Sequence, residues 1–302
     1  MKKLRISTGE LAHICGVSQG TVDRALNNRP DIKAATKQKI LRAAKEYGYR
    51  EPIESDSDDG IIGQVGIIVF DLNNEYFSKL ITETEYVLRG LGYSSVVMMT
   101  HYDRQTEIEC IRNMYNMGVK GIILCSVNSG KVFQNYLELF NIPIVAVGNN
   151  IGGIPYVGVD DFAAMRDMTA AVIEDGYREL VYFSPALNYP DAYAQRARYV
   201  GFLSAVSDIR HTVVTDIEGI KETYADRTAI ICSTDYYAFM VYFKAKNVKI
   251  VGFDNLDAIN KYGWSIDSVG YSVSEIAQNA VDTLLSGGKE GVIIPHTIEK
   301  HG

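Results

Sequence analysis

The chain has 302 residues, 47% of them hydrophobic and 22% charged, with a net charge of −7; this exceeds one ordinary domain of roughly 100 to 200 residues and excludes both a peptide scaffold and wholesale disorder. Four cysteines, Cys15, Cys110, Cys125 and Cys232, lie far apart with no CxxC pair, so neither a zinc knuckle nor a disulfide framework is expected. Polar residues follow the basic MKKLR start where an export signal needs an apolar core, and no run is long enough to span a membrane, which makes the cytoplasm the expected compartment.

Charge is unevenly spread along the chain. The first 50 residues hold 11 Lys and Arg against 4 Asp and Glu, a balance of +7, and the other 252 hold 19 against 33, a balance of −14. A small basic head on a large acidic body suggests that the head meets a polyanion. Ser7-Thr8-Gly9-Glu10 has the form of a capping box, and Leu11, Ala12 and Ile14 give the helix behind it an apolar face. Gly16 permits the positive φ of a tight turn, Val17 plugs a small core and Ser18 can cap the next helix. There Val22, Ala25 and Leu26 face inward by spacing, leaving Gln19, Gly20, Asp23, Arg24 and Asn27 on an open side that can enter a major groove. A third helix over 34–47 has Ile40, Leu41, Ala43, Ala44 and Tyr47 as core, with Lys37, Lys39 and Arg42 outside. The plainer reading is a structural helical bundle with solvated lysines.

EPIESDSDDG (51–60) holds five acids and a proline and reads as a linker. Beyond it, short apolar runs alternate with helix-length amphipathic segments. Strands are expected at 65–70, 94–99, 121–125, 142–147, 156–159, 179–184, 229–232 and 249–253, with helices over 76–91, 105–117, 162–175, 193–206, 235–245 and 273–285. Nearly continuous apolar strands are buried on both faces, as in doubly wound parallel sheets covered by helices. The rhythm divides into two halves near Asp160, which implies two lobes with a cleft between them. In such sheets ligands sit beyond the carboxyl ends of the strands. Asp71-Leu72-Asn73-Asn74 follows the first strand in place of a G-x-G-x-x-G, and no G-x-x-x-x-G-K-[ST] occurs, so no nucleotide cofactor is expected. His13, His101, His211, His296 and His301 are scattered, without an H-E-x-x-H pair, and no G-x-S-x-G elbow is present; neither a metal centre nor a catalytic residue is assigned.

ELAHICGVSQGTVDRALNNR followed by TKQKILRAAKEYGY resembles the DNA-binding head of the lactose-repressor (LacI) family, whose pattern runs VA..AGVS..TVSR.LN and then T...V..A...LGY. The resemblance implies that Ser7, Thr8, Ser18, Gln19, Gly20, Thr21, Arg24 and Asn27 form the DNA-binding set. Ser18, Thr21, Arg24 and Asn27 match residues that contact the phosphate backbone or position the helix, Gln19 and Gly20 fall where base edges are read, and Thr8 falls where the first helix approaches a base. Glycine offers no side chain, which leaves Gln19 to carry the readout, for instance through paired bonds to an adenine. Asp23 stands where the family has serine; it either repels the phosphates or orients Arg24. The family's hinge helix, with its minor-groove leucine, is replaced by Arg50-Glu51-Pro52-Ile53-Glu54-Ser55-Asp56, a poor wedge for a groove lined by phosphates.

The remainder is similar to the matching repressor core, a periplasmic-binding-protein-like fold of type I. VGIIVFDLNNEYFSKL, VGNNI, YVGVDD, YAQRARYVGF, CSTDYYA and VGFDN carry the likeness. A small all-α helix-turn-helix domain (1–50), the acidic linker (51–60) and an α/β two-lobed ligand-binding and dimerisation domain (61–302) are therefore expected. Asn73, Phe77, Asn149, Asp160, Arg198, Asp235 and Asp254 are the expected ligand-binding residues. Carboxylates accept pairs of hydroxyl protons, Arg198 donates in a fork, Asn149 does both, and an aromatic face covers the apolar side of a sugar ring. An Asp after a strand can equally cap a helix, Arg198 can be a surface ion pair and Phe77 can be core. Trp264 either lines the cleft or closes a lobe. Sparse basic residues in these loops favour a neutral sugar or related polyol, ahead of a nucleoside, over a phosphate ester. The function expected is a homodimeric, sequence-specific regulator, a repressor of double-stranded operator DNA under a small-molecule effector. The competing readings are a solute-binding sensor that does not regulate DNA, and an enzyme using paired carboxylates.

Overall fold

A computed structural model describes residues 8–26, 29, 32–47, 62–189 and 192–301. Ser7, Asn27 and the linker 51–60 lie outside the described residues. The chain divides into two compact units, residues 1–61 and 62–302.

The first unit consists of α1 (Thr8–Cys15), α2 (Gln19–Leu26) and α3 (Ala34–Tyr47). Leu11, Cys15, Val22, Ala25 and Ile40 are almost wholly buried in its core, with Val17, Leu26 and Ala43 packed around them. Gly16 takes φ +64° in the turn between α1 and α2, where a Cβ would be strained. Lys39 Nζ donates to the Cys15 carbonyl at 3.1 Å, so α3 supplies a cation to the negative end of α1. Ile14 and Leu41 are 40% and 42% exposed and do not belong to this core. The buried stripe of α1 runs through Leu11, Ala12 and Cys15, that of α3 through Ile40 and Ala44, and each misplaced residue sits one step around its helix.

The second unit opens with β1 (Gly63–Val69), α4 (Glu75–Gly90), β2 (Tyr93–Met99), α5 (Arg104–Asn116), β3 (Ile122–Leu124), α6 (Gly130–Leu137), β4 (Ile144–Val147) and β5 (Tyr156–Val159). It continues with α7 (Asp161–Glu174), β6 (Glu179–Phe183), α8 (Tyr193–Ala205), β7 (Arg210–Val214), β8 (Thr228–Cys232), α9 (Asp235–Lys244), β9 (Lys249–Phe253), α10 (Asp257–Tyr262) and β10 (Ile266–Tyr271). It ends with α11 (Val273–Ser286), β11 (Val292–Ile294) and β12 (His296–Glu299). Two six-stranded sheets result, with orders β11-β5-β4-β3-β1-β2 and β12-β10-β9-β8-β6-β7. All pairings are parallel except β10 with β12. Central strands such as β3, β4 and β8 are buried throughout, which is why they read as unbroken apolar runs.

A single division near Asp160 does not describe the lobes. The chain passes from the first lobe to the second after β5, returns through α11 and β11, and passes over again to β12. Val273, Ile276, Ala277, Ala280, Val281 and Leu284 of α11 are buried with Val65, Leu80 and Val145 of the first lobe. Gly121 lets α11 in, since a Cβ there would lie 2.9 Å from Leu284. The alternation of strand and helix indicates how many layers exist, not to which sheet an amphipathic helix returns. Four strands lie outside the expected set: β7, β11 and β12 are edge strands with mostly exposed or half-buried residues, and β10 is an inner, buried strand whose apolar run is broken by Asp267, Ser268 and Gly270.

Candidate functional site

In the head, α2 presents Gln19, Gly20, Asp23 and Arg24 as exposed residues while Val22 and Ala25 hold it to the core. Ser18 caps it: its Oγ accepts from the Thr21 amide at 3.3 Å and bonds to Thr21 Oγ1 at 2.8 Å. Gln19 Nε2 donates to Thr8 Oγ1 at 3.1 Å, which joins the two side chains expected to approach bases. A Cβ on Gly20 would meet nothing within 4 Å, so packing does not demand glycine there and the backbone is left bare for close approach. Asp23 Oδ2 lies 3.7 Å from Arg29 Nη1. The acid on this face is thus set against a cation contributed by the segment after α2.

The second unit gathers its polar residues where strands end. Arg198, one turn into α8, is 7% exposed. Its Nε donates to Asp161 Oδ1 at 2.7 Å, its Nη1 donates to the Ser233 carbonyl at 2.7 Å and lies 3.6 Å from Asp254 Oδ1, and its guanidinium sits 3.5 Å over the Phe253 ring. Asp254, just beyond β9, also accepts from Tyr271 Oη at 2.7 Å. It holds φ +110°, and Asn255 follows at +45°; a non-glycine residue pays for such a backbone only where its surroundings force it. Burial pushes the Asp254 carboxyl up to about 6 although Arg198 and Tyr271 oppose the shift. Burial likewise raises Asp161 against the pull of Arg198. Desolvation would lower Arg198, but Asp161 and Asp254 outweigh it and keep the guanidinium charged.

Asp161 was not singled out from the sequence; its neighbour Asp160 was. Asp160 is exposed and caps α7, accepting from the Ala163 amide at 2.9 Å, so the structure does not bring it to Arg198. Asp235 is fully buried and turned into the protein: its Oδ1 accepts from Ser268 Oγ at 2.7 Å and its Oδ2 from the Leu256 amide at 2.8 Å. It ties the start of α9 to β10 and to the loop after β9, with its carboxyl raised well above the ordinary range, first by burial and then by Asp254. Asn149 Nδ2 donates to the Ser126 carbonyl at 2.5 Å and its Oδ1 accepts from the Ala194 amide at 3.2 Å. It therefore spans from the end of β4 to the start of α8 in the other lobe, beside a hydrogen bond between Ser129 Oγ and Tyr193 Oη. Phe77 is buried in the first lobe's core, edge-on to Phe70 and Tyr76 with centroids 5.1 Å apart in each case. Asn73 is exposed, its amide donating to Asp71 Oδ1 at 2.8 Å. Trp264 packs in the second lobe against Phe239 at 4.6 Å and Tyr262 at 5.3 Å.

A second organising residue escaped the sequence reading. Glu107 in α5 is fully buried and accepts from Ser126 Oγ, from the Val127 amide at 2.7 Å and from the Asn128 amide at 3.2 Å. It shapes the turn after β3 on which Asn149 and Ser129 depend. Burial raises its carboxyl, and those donors pull it back. The signal was present: Glu107 lies on the stripe of Cys110, Ile111 and Met114, at the spacing of a buried helix face. Among the described residues no group of three His, Cys, Asp or Glu side chains is placed to hold a metal, and no helix is long and apolar enough to cross a membrane.

The family model for periplasmic binding proteins and the sugar binding domain of the LacI family matches residues 63–231, and that for bacterial regulatory proteins of the lacI family matches residues 9–51. The chain is 23% identical over 278 residues to catabolite control protein A of Priestia megaterium, covering 83% of each. A transcriptional regulator of this family from Silicibacter pomeroyi has a crystal structure that superposes with a TM-score of 0.74 at 19% identity, covering 98% of both chains. The lac repressor dimer bound to operator and the anti-inducer ONPF gives a TM-score of 0.70 at 16% identity, again over 98% of both. At these identities the two superpositions establish the fold.

Proposed function

The chain belongs to the LacI family, and on that premise we propose that it is a homodimeric, sequence-specific DNA-binding repressor working in the cytoplasm, set by a sugar-like effector in the cleft of its two-lobed unit, and not an enzyme. The observation that carries the reading is the pairing of one exposed, capped helix on a basic unit with a separate acidic unit whose buried polar residues converge from both lobes. Thr8, Ser18, Gln19, Gly20, Thr21 and Arg24 serve the duplex, as do Ser7 and Asn27 on the family resemblance; Arg198, Asp254 and Asn149 serve the effector, with Asp161 joining them. Gln19 reads a base edge while Thr8 fixes its amide. Arg24 and neighbouring lysines meet phosphates, and that part of the affinity is lost as salt rises.

The test is fluorescence anisotropy of the full chain on its own promoter fragment and on a scrambled duplex. Six to ten phosphate contacts predict a fall in affinity of about 10³ to 10⁵ between about 50 and 200 mM salt. Preference for the promoter should weaken in Gln19→Ala, whereas Arg24→Ala should lower affinity for both duplexes and flatten the salt slope. Equal binding to both duplexes, or binding indifferent to salt, contradicts the reading and leaves a solute sensor that does not regulate DNA.

A further inference from the structure

On the outer face of α2 an acid stands where a polyanion is expected to lie. Asp23 is exposed, one turn beyond Gly20, at which the backbone is bare and a duplex can come close. A carboxylate there repels the phosphates it approaches. Folding does not call for it: Val22 and Ala25 hold the helix to the core, and exposed ion pairs add little to stability. What distinguishes Asp23 is the cation that the chain returns to it. The Arg29 amide donates to the Arg24 carbonyl at 3.0 Å, which fastens residue 29 to the last turn of α2, and Arg29 Nη1 lies 3.7 Å from Asp23 Oδ2. Main chain and side chain thus bring the guanidinium back onto the helix that faces the duplex. A cation is also favoured at that end by the helix dipole. The Arg29 side chain keeps 64% of its surface exposed. A guanidinium has five N–H donors in a planar fork, so one arm can face the carboxylate while the others meet phosphate oxygens.

We propose that Asp23 is a positioning residue: it holds Arg29 over the outer face of α2, and the guanidinium so placed makes a phosphate contact on the operator. This rests on the DNA-binding reading of the head and goes beyond it by giving Arg29 a contact and an acid a favourable part in binding a polyanion. The acid that was expected to repel phosphates or to orient Arg24 serves Arg29 instead. An arginine held in place before contact loses less side-chain freedom on binding, and that gain offsets the repulsion of the carboxylate as long as the two charges stay paired.

The experiment is anisotropy of the full chain on its promoter fragment and on a scrambled duplex at several salt concentrations, for the parent, Asp23→Ser, Arg29→Ala and the double variant. Both side chains are exposed, so the substitutions leave the core of the head intact. Arg29→Ala should weaken binding to both duplexes alike and reduce the slope of log affinity against log salt by about 1. Asp23→Ser takes away a negative charge, yet in the parent it should weaken binding to both duplexes by about two- to fivefold, the worth of an exposed ion pair. In the Arg29→Ala background the same substitution should instead tighten binding, because only the repulsion is left to remove. That reversal of sign is the signature of positioning. Tighter binding by Asp23→Ser in the parent makes the acid merely repulsive, an equal loss in both backgrounds makes its role structural, and an altered preference at one base pair with an unchanged salt slope makes it a base reader; each overturns the proposal. A parent chain that binds neither duplex contradicts the regulator reading as well, whereas a parent that prefers its promoter while Asp23→Ser binds more tightly contradicts the positioning alone.

Discussion

Arg198 and Asp161 make a buried pair whose parts are worth more in company than alone. Removing one partner of such a pair leaves an uncompensated charge, at a cost of about 3–5 kcal/mol. Arg198→Met should therefore lower the urea midpoint strongly, and adding Asp161→Asn to it should recover much of the loss; a near-neutral single variant would contradict the geometry. Asp254 gives a pH signature. Its folded value of about 6 lies above the ordinary 3.8, so between those values the native state holds the extra proton and stability falls as pH rises. Asp254→Asn should lessen the fall in stability between about pH 4 and about pH 6, as read by denaturation at several pH values, and an unchanged profile would refute the burial argued for the carboxyl.

At this scale the sequence revealed the residue types after the strands and hid their roles. Arg198 in α8 lies 3.6 Å from Asp254 beyond β9, and Asn149 beyond β4 accepts from the Ala194 amide at the start of that same helix, in the region beyond the strand ends where ligands sit in such sheets. Asp160 and Asp161 are adjacent acids, and only the helix start decides which one caps and which one turns inward. Asp235 turns into the protein because Ser268 and the Leu256 amide, distant in sequence, satisfy it there.

Helices place these side chains, and their terminal chemistry was readable in part. Asn74, Asp103, Asp160 and Ser272 each accept an amide proton at a helix start, the role short polar side chains fill. Asp160→Ala should cost about 1 kcal/mol of stability while leaving effector affinity intact, and Asp160→Ser should restore most of it; loss of effector binding in Asp160→Ser would instead make the carboxylate a ligand. Gly201 explains why α8 can carry Arg198 to Asp161. A Cβ there would lie 2.3 Å from the Phe162 carbonyl oxygen, so α8 can rest on the start of α7 only with glycine at that point. Gly201→Ala should destabilise by about 1–3 kcal/mol and weaken effector binding together, as α8 is pushed away. Wild-type behaviour in calorimetry would contradict that close approach. The elements hardest to foresee were α6 and α10, short helices of eight and six residues, and edge strands whose polar faces carry no continuous apolar signal.

For the whole molecule the charge asymmetry and the order of units were open to sequence reasoning, because composition and motif spacing are local properties. The return of α11 to the first lobe was not, since only packing against Leu80, Val65 and Val145 selects that sheet. Cross-lobe contacts such as Asn149 to Ala194 and Lys79 to Asp257, at 3.2 and 2.8 Å, join the two lobes on either side of the expected effector site. A repressor built this way obeys linkage: an effector that changes operator affinity by some factor must have its own affinity changed by the operator by the same factor, typically about 5- to 150-fold. The direct measurement is a calorimetric titration of the effector into the full chain, alone and saturated with operator, beside an operator titration with and without effector. The account predicts two equal ratios different from one. Effector affinity indifferent to operator would contradict it.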